Sequence, residues 1–201
     1  MAQSPSPGLA RFRTILWGLV VVAAIGATAL FVLRPPGAPL AVTGTPFTLQ
    51  STAGGQFTEK DLVGKPSLVF FGYTFCPDVC PTTLAESVAW KEALGVSDDE
   101  LRTIFVTVDP ERDTLDVVRE YLGGFDPDVI GLVGGADQTA AAKASFGAMS
   151  EKSEAGADGF YLVNHTASVF LIGKDGRFEG TIAYGEAMET ALGKIRRLLE
   201  G

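Results

Sequence analysis

The hydrophobic and polar positions fall into three regimes along the chain. Ile15 to Leu33 carries no charge, and as a helix rising about 1.5 Å per residue it would span roughly 29 Å, close to the thickness of a bilayer's hydrocarbon core. Pro35-Pro36-Gly37-Ala38-Pro39 cannot continue a helix and predicts a short, stiff spacer. From Val42 onward, short apolar runs alternate with amphipathic stretches, which is the pattern of a folded domain.

Within that domain, Phe47 to Gln50 and Gln56 to Thr58 flank Gly54-Gly55 and predict a short hairpin. Ser67 to Gly72 reads as a buried strand, and Pro77 to about Leu94 as a helix. Thr103 to Val108 is a second strand rich in β-branched residues, followed by a helix over Thr114 to Leu122 with Thr114 as its N-cap. Asp137 to Phe146 predicts another helix, and the charged, Gly- and Ala-rich Glu151 to Gly159 a surface loop. Ser168 to Ile172 and Arg177 to Tyr184 flank Lys174-Asp175-Gly176, a hairpin signal, and Met188 to Leu199 closes the chain as a helix. A βαβ unit followed by a ββα unit predicts an α/β fold with a central mixed sheet flanked by helices, in the thioredoxin-like order.

Charge sharpens the reading of the apolar segment. Arg11, Arg13 and the N-terminal amine precede it and only Arg34 follows closely, so the excess of positive charge predicts a cytoplasmic N-terminus and a domain across the membrane. The alternative is a cleaved signal peptide with Ala27-Thr28-Ala29 as its cleavage signal. The apolar stretch runs past that site, which favours an uncleaved anchor, and both readings export the domain. The expected organisation is a cytoplasmic N-terminus at 1–14, a transmembrane anchor at 15–33, a Pro-rich linker at 34–41 and the domain at 42–201. Such a chain would sit in a bacterial-type inner membrane, single-pass, with its domain on the periplasmic face.

All 24 acidic residues and 13 of the 16 basic ones fall after residue 41, for a net charge of −11. That disfavours nucleic acid as a partner. The glycines at 123, 124, 134 and 135 lack a strand leading into a phosphate-binding helix, which disfavours a nucleotide site. The aromatic cluster Phe70, Phe71, Tyr73 and Phe75 reads as strand core and site wall, and Trp17 as an interfacial anchor.

The chemistry rests on two cysteines and one histidine. Cys76 and Cys80 fall where a buried strand gives way to a helix, so both sulfurs are expected at a helix N-terminus, where the backbone dipole favours thiolates. Spaced i, i+4 on one helical face, they could form a disulfide or share one metal ion. A purely structural disulfide would close a very short loop and constrain the unfolded chain little. Three intervening residues, rather than the two of a thioredoxin-type reductase, weaken a reductase reading. Two thiolates suit Cu(I), and an added imidazole makes a set that also holds Cu(II). His165 is the sole imidazole, expected on a loop just before a hairpin strand and facing the cysteine helix. Asp109, Glu111 and Asp113, taken by themselves, read as a solvated loop.

Three segments, in this order, resemble a known family: Gly72-Tyr-Thr-Phe-Cys76-Pro-Asp-Val-Cys80-Pro, Val108-Asp-Pro-Glu-Arg-Asp113 and Val163-Asn-His165. The family is the Sco/SenC copper proteins, involved in assembling the CuA centre of cytochrome oxidase, and the resemblance covers most of 42–201. It implies a thioredoxin-like fold and copper ligation by Cys76, Cys80 and His165, with Asp109 and Arg112 supporting the site or a docking partner. The chain departs from the family pattern at Leu115, where a proline is common, and at Asn164, where an Asp often precedes the His.

The resemblance implies a copper metallochaperone rather than an enzyme. It would carry Cu(I), with Cu(II) held by the same set, to the oxidase subunit bearing CuA; another exported copper carrier is a second candidate partner. The alternative is a membrane-anchored thiol-disulfide oxidoreductase, in which Cys76 attacks, Cys80 resolves and His165 is dispensable. A thiol peroxidase reading would need ready peroxide turnover at Cys76.

Overall fold

The computed structural model describes residues 7–32, 41–157 and 159–201. The expected linker at 34–40, the first six residues and Leu33 lie outside them. Two compact units, Met1–Ala38 and Pro39–Gly201, divide the chain. In the first, helix α1 (Pro7–Val32) contains a window, Arg11–Thr28, long and apolar enough to cross a membrane. The helix begins at Pro7, so it takes in residues expected to precede the anchor.

The second unit is built on a mixed sheet. Its strands are β1 (Thr48–Ser51), β2 (Gln56–Thr58), β3 (Ser67–Gly72), β4 (Arg102–Thr107), β5 (Ile130–Val133), β8 (Val169–Ile172) and β9 (Phe178–Ile182), in the order β2-β1-β5-β4-β3-β8-β9. β3, β4 and β5 run parallel, and the flanking strands pair antiparallel. Every residue of β3 is buried, as a continuous Ser-Leu-Val-Phe-Phe-Gly run in a parallel centre requires. The helices are α2 (Val79–Leu94), α3 (Leu115–Gly123), α4 (Ala136–Phe146) and α5 (Met188–Glu200). α2 packs beside α5, α3 covers β5 and α4 covers β1.

Most expected elements are present, with differences of a residue or two at their ends. Thr114 caps α3, its hydroxyl accepting the Val117 N–H at 3.3 Å. β5 was not anticipated, because four residues interrupted by Gly131 and followed by Gly134-Gly135 give too short a pattern. A separate two-stranded ribbon also differs from expectation: β6 (Ser150–Lys152) pairs antiparallel with β7 (Val163–His165). It places Glu151 and Lys152 in a strand rather than a loop, and it ends on His165 instead of leaving it on a connection.

The described chain enters this unit at the end of the sheet where β3 begins. Ala41, buried, donates its N–H to the Gly176 carbonyl at 3.1 Å and bridges Arg177. Gly176 lies in the β8–β9 turn, and Ile172 at the end of β8 pairs with Ser67, the first residue of β3.

One buried cation ties α2 to the loop that follows it and to the loop that follows α3. Lys91 places Nζ 2.5 Å from Asp98 and 2.6 Å from Asp126, with 6% of its side chain exposed. Burial pushes the Lys91 pKa down, but the two carboxylates outweigh it and hold it above its ordinary value. Burial pushes Asp126 up, and its bonds to Lys91 and Asp128 hold it net below the usual carboxylate range. Because the folded-state pKa of Asp126 is depressed, its contribution is complete above about pH 4 and is lost as pH falls through the folded value. Lys91→Ala leaves two carboxylates without their cation and should cost about 3 kcal/mol in denaturant unfolding at neutral pH. The difference from wild type should shrink as the buffer is taken below about pH 4.

Candidate metal centre

The three donors come from two segments 85 residues apart. β3 runs out at Gly72 and the chain turns through Tyr73 to Phe75, the Cys76 N–H donating to the Tyr73 carbonyl at 3.2 Å. Cys76 therefore precedes α2, and only Cys80, the second residue of that helix, is helical. The expected shared helical face gives way to a loop sulfur and a helix sulfur, with the Cys80 N–H directed at Cys76 Sγ, 3.4 Å away. Neither cysteine is in a disulfide; Cys76 is half-buried and Cys80 buried.

His165 closes the group from β7. Its Nε2 lies 3.4 Å from Cys80 Sγ, and the ligand atoms of Cys76, Cys80 and His165 are all within 4.8 Å of one another. A first-row metal held about 2.0–2.3 Å from nitrogen and sulfur donors spaces them roughly 3.5–4 Å apart, so the set has the dimensions of a metal site. The opposite Nδ1 is 3.0 Å from the Thr166 carbonyl. A carbonyl can only accept, so Nδ1 carries the proton and the neutral ring turns the Nε2 lone pair toward the sulfurs. Burial lowers the His165 pKa, which keeps the ring in that form.

Electrostatics correct the expectation that both sulfurs are activated by the helix end. Burial pushes the Cys80 thiol well up, and the neighbouring Cys76 sulfur adds to the shift. In the absence of metal, the desolvation of Cys80 outweighs the helix dipole.

The walls fix these positions. The His165 ring stands edge-on to Phe70 at 5.9 Å and to Tyr73 at 5.8 Å. Asp113 is fully buried and accepts from the Thr74 N–H at 3.1 Å, the Thr74 hydroxyl at 2.6 Å and the Thr107 hydroxyl at 2.5 Å. Asp109, also buried, pairs with Arg112 and accepts from the Tyr161 hydroxyl at 2.9 Å. Arg112 stacks 3.6 Å over the Tyr161 ring and 4.8 Å from that of Phe75, and donates to the Tyr161 carbonyl at 3.1 Å. The solvated-loop reading thus fails for Asp109 and Asp113, whose side chains face inward. It holds for Glu111, which pairs with Lys152 at the surface.

A cleft of about 240 Å³ opens between Cys76, Pro77, Val79 and Leu162. A second, of about 520 Å³, lies on the other side of His165 beside Met149 and Asn164. Tyr161 carried no sequence signal, and although Gly72 and Tyr73 open the first family segment, nothing in the sequence pointed to the role of the Tyr73 hydroxyl, which accepts the Val163 N–H at 3.2 Å, or of the missing Cβ at Gly72. A glycine ending a β-strand with no turn type of its own looks unremarkable until the sulfur beneath it is known.

The chain is similar to known proteins over most of its length. The family model described as SCO1/SenC matches residues 36–200. The mitochondrial protein SCO2 of Saccharomyces cerevisiae is 35% identical over 159 residues, covering 78% of this chain and 53% of its own length. Protein SenC of Rhodobacter capsulatus is 34% identical over 164 residues, 76% of this chain and 74% of its own. The chain spans about half the length of the mitochondrial relatives it matches. Among solved structures, Bradyrhizobium japonicum ScoI with copper bound superposes with a TM-score of 0.70 at 40% identity, covering 78% of this chain and 99% of that one.

A Cβ at position 72 would lie 2.7 Å from Phe105 Cε2 and 2.9 Å from Cys80 Sγ, and the Phe105 ring is fully buried. Gly72→Ala should therefore destabilise the domain by about 1–3 kcal/mol and displace Cys80. Thermal unfolding and the rate of Cys80 alkylation, both compared with wild type, measure the two effects.

Proposed function

The chain belongs to the SCO1/SenC family, and from that premise we propose that it is a copper carrier. Cys76 and Cys80 supply the sulfurs and His165 the imidazole. The copper is cargo, passed by ligand exchange to the oxidase subunit that bears the CuA site, and received from another exported copper carrier. The chain is anchored by α1 with its N-terminus in the cytoplasm, residues 34–41 acting as linker and 42–201 as the carrier domain.

One observation carries this reading: two sulfurs and an imidazole nitrogen turned toward them, all within 4.8 Å, converge from two distant segments. A reductase needs only the cysteines, and nothing in its chemistry calls for a neutral imidazole 3.4 Å from the second sulfur. Two soft sulfurs with one borderline nitrogen suit copper in both oxidation states. Related structures described as having copper bound include those of Bradyrhizobium japonicum ScoI and Saccharomyces cerevisiae Sco1. Asp109 and Arg112 hold the wall between the cysteine loop and Tyr161, and so support the site without touching its donors.

Thiol-disulfide exchange is a second reading, favoured by the half-exposed Cys76 with Cys80 behind it. The Cys80 N–H aimed at Cys76 Sγ would stabilise charge on the attacking sulfur.

The test is anaerobic competition for Cu(I) between a chelator and the detergent-solubilised full chain. Wild type should bind one equivalent, and His165→Ala should bind roughly 10–100-fold more weakly. Binding indifferent to His165, together with disulfide reduction that survives His165→Ala, would instead establish the oxidoreductase.

A further inference from the structure

Cys76 and Cys80 are held by the main sheet and α2, whereas His165 ends a ribbon that forms a second, separate sheet. The backbone ladders that fix the cysteine segment therefore do not extend to the imidazole. Residues 166–168 join it to β8 in the main sheet but lie outside any ladder, so side chains that cross between the two parts complete the definition of its distance from the sulfurs.

Tyr73 touches both. It directly follows β3, and its carbonyl accepts the Cys76 N–H at 3.2 Å. Its hydroxyl, at the far end of the same side chain, accepts the Val163 N–H at 3.2 Å, two residues before His165. Between these two bonds its ring lies edge-on to the imidazole, centroids 5.8 Å apart and planes at 88°. Both Tyr73 and Val163 are buried. A buried peptide N–H with no partner is costly, so the phenol oxygen fixes where the backbone of Val163 lies. Arg112 makes a parallel tie to Tyr161, but at four residues' distance from His165 and from the surface side.

We propose that Tyr73 is the positioning residue of the metal site: through its hydroxyl it sets the separation of His165 from Cys76 and Cys80. This inference rests on the copper reading above. Tyr73 touches no metal and acts through Val163. The ring alone would fill the space equally well, so the hydroxyl is the part that specifies the donor spacing. Tyr73→Phe removes that oxygen while keeping the packing against His165.

The experiment is a double-mutant cycle on Cu(I) affinity, read by anaerobic chelator competition on the full chain in detergent: wild type, Tyr73→Phe, His165→Ala and the double variant. Tyr73→Phe should weaken Cu(I) binding about fivefold, the scale of one hydrogen bond. In the His165→Ala background, where only the two sulfurs remain, it should change affinity by less than about twofold, because the residue through which it acts is gone. Equal losses in both backgrounds would mean a general structural role and overturn the inference. So would a Tyr73→Phe protein that binds as wild type does. Wild type that fails to bind Cu(I) would overturn the copper reading itself, and this inference with it, so the two failures are told apart by the first titration.

Discussion

The candidate site depends on one buried carboxylate. Asp113 lies wholly inside and accepts hydrogen bonds from the N–H and the hydroxyl of Thr74 and from the hydroxyl of Thr107. Thr107 ends β4 and Thr74 begins the cysteine loop, so a single side chain laces the ends of the two central parallel strands together. The arrangement is costly in isolation, and burial pushes the Asp113 carboxyl above its ordinary range, against the pull of the Thr107 and Thr74 bonds. What it secures is the course of the chain from Gly72 to Cys76, a stretch with no ladder partners of its own once β3 has ended. The cysteine loop has a definite shape because an acid inside the protein holds its backbone.

The site also shows how two kinds of order meet. The sulfurs inherit their places from main-chain structure: a central strand, a bonded turn and the start of a long helix. The imidazole sits on the two-stranded ribbon, where His165 pairs with Ser150, and is placed against the sulfurs by aromatic side chains and a guanidinium, namely Phe70, Tyr73, Tyr161 and Arg112. Backbone ladders tolerate most substitutions along them, whereas contacts between particular rings do not. The histidine side is thus the more specific half of the site and the more exposed to mutation.

Most of the fold was legible from the sequence, for physical reasons. The Ser67 to Gly72 run, the Thr114 cap and the Lys174-Asp175-Gly176 turn each carry a local cause, and each appears where that cause puts it. β5 and the β6–β7 ribbon were not legible. They are three or four residues long, and they are strands because of what they pair with rather than because of their own pattern. The same division runs through the site. Cys76, Cys80 and His165 stand out by residue type, and the structure brings their donor atoms together. The inward turn of Asp109 and Asp113 and the burial of the Cys80 thiol depend on neighbours distant in sequence, so an acidic run read as solvated and a helix end read as activating.

The entry of the chain at Ala41 has a geometric consequence. Ala41 is fastened to the β8–β9 turn, where β3 begins, while the cysteines follow the other end of that strand. A six-residue strand is about 20 Å long, so the point where the described chain joins the sheet and the donor atoms are separated by the full length of its central strand. A molecule approaching the sulfurs meets the end of the sheet opposite the one at which the described chain enters.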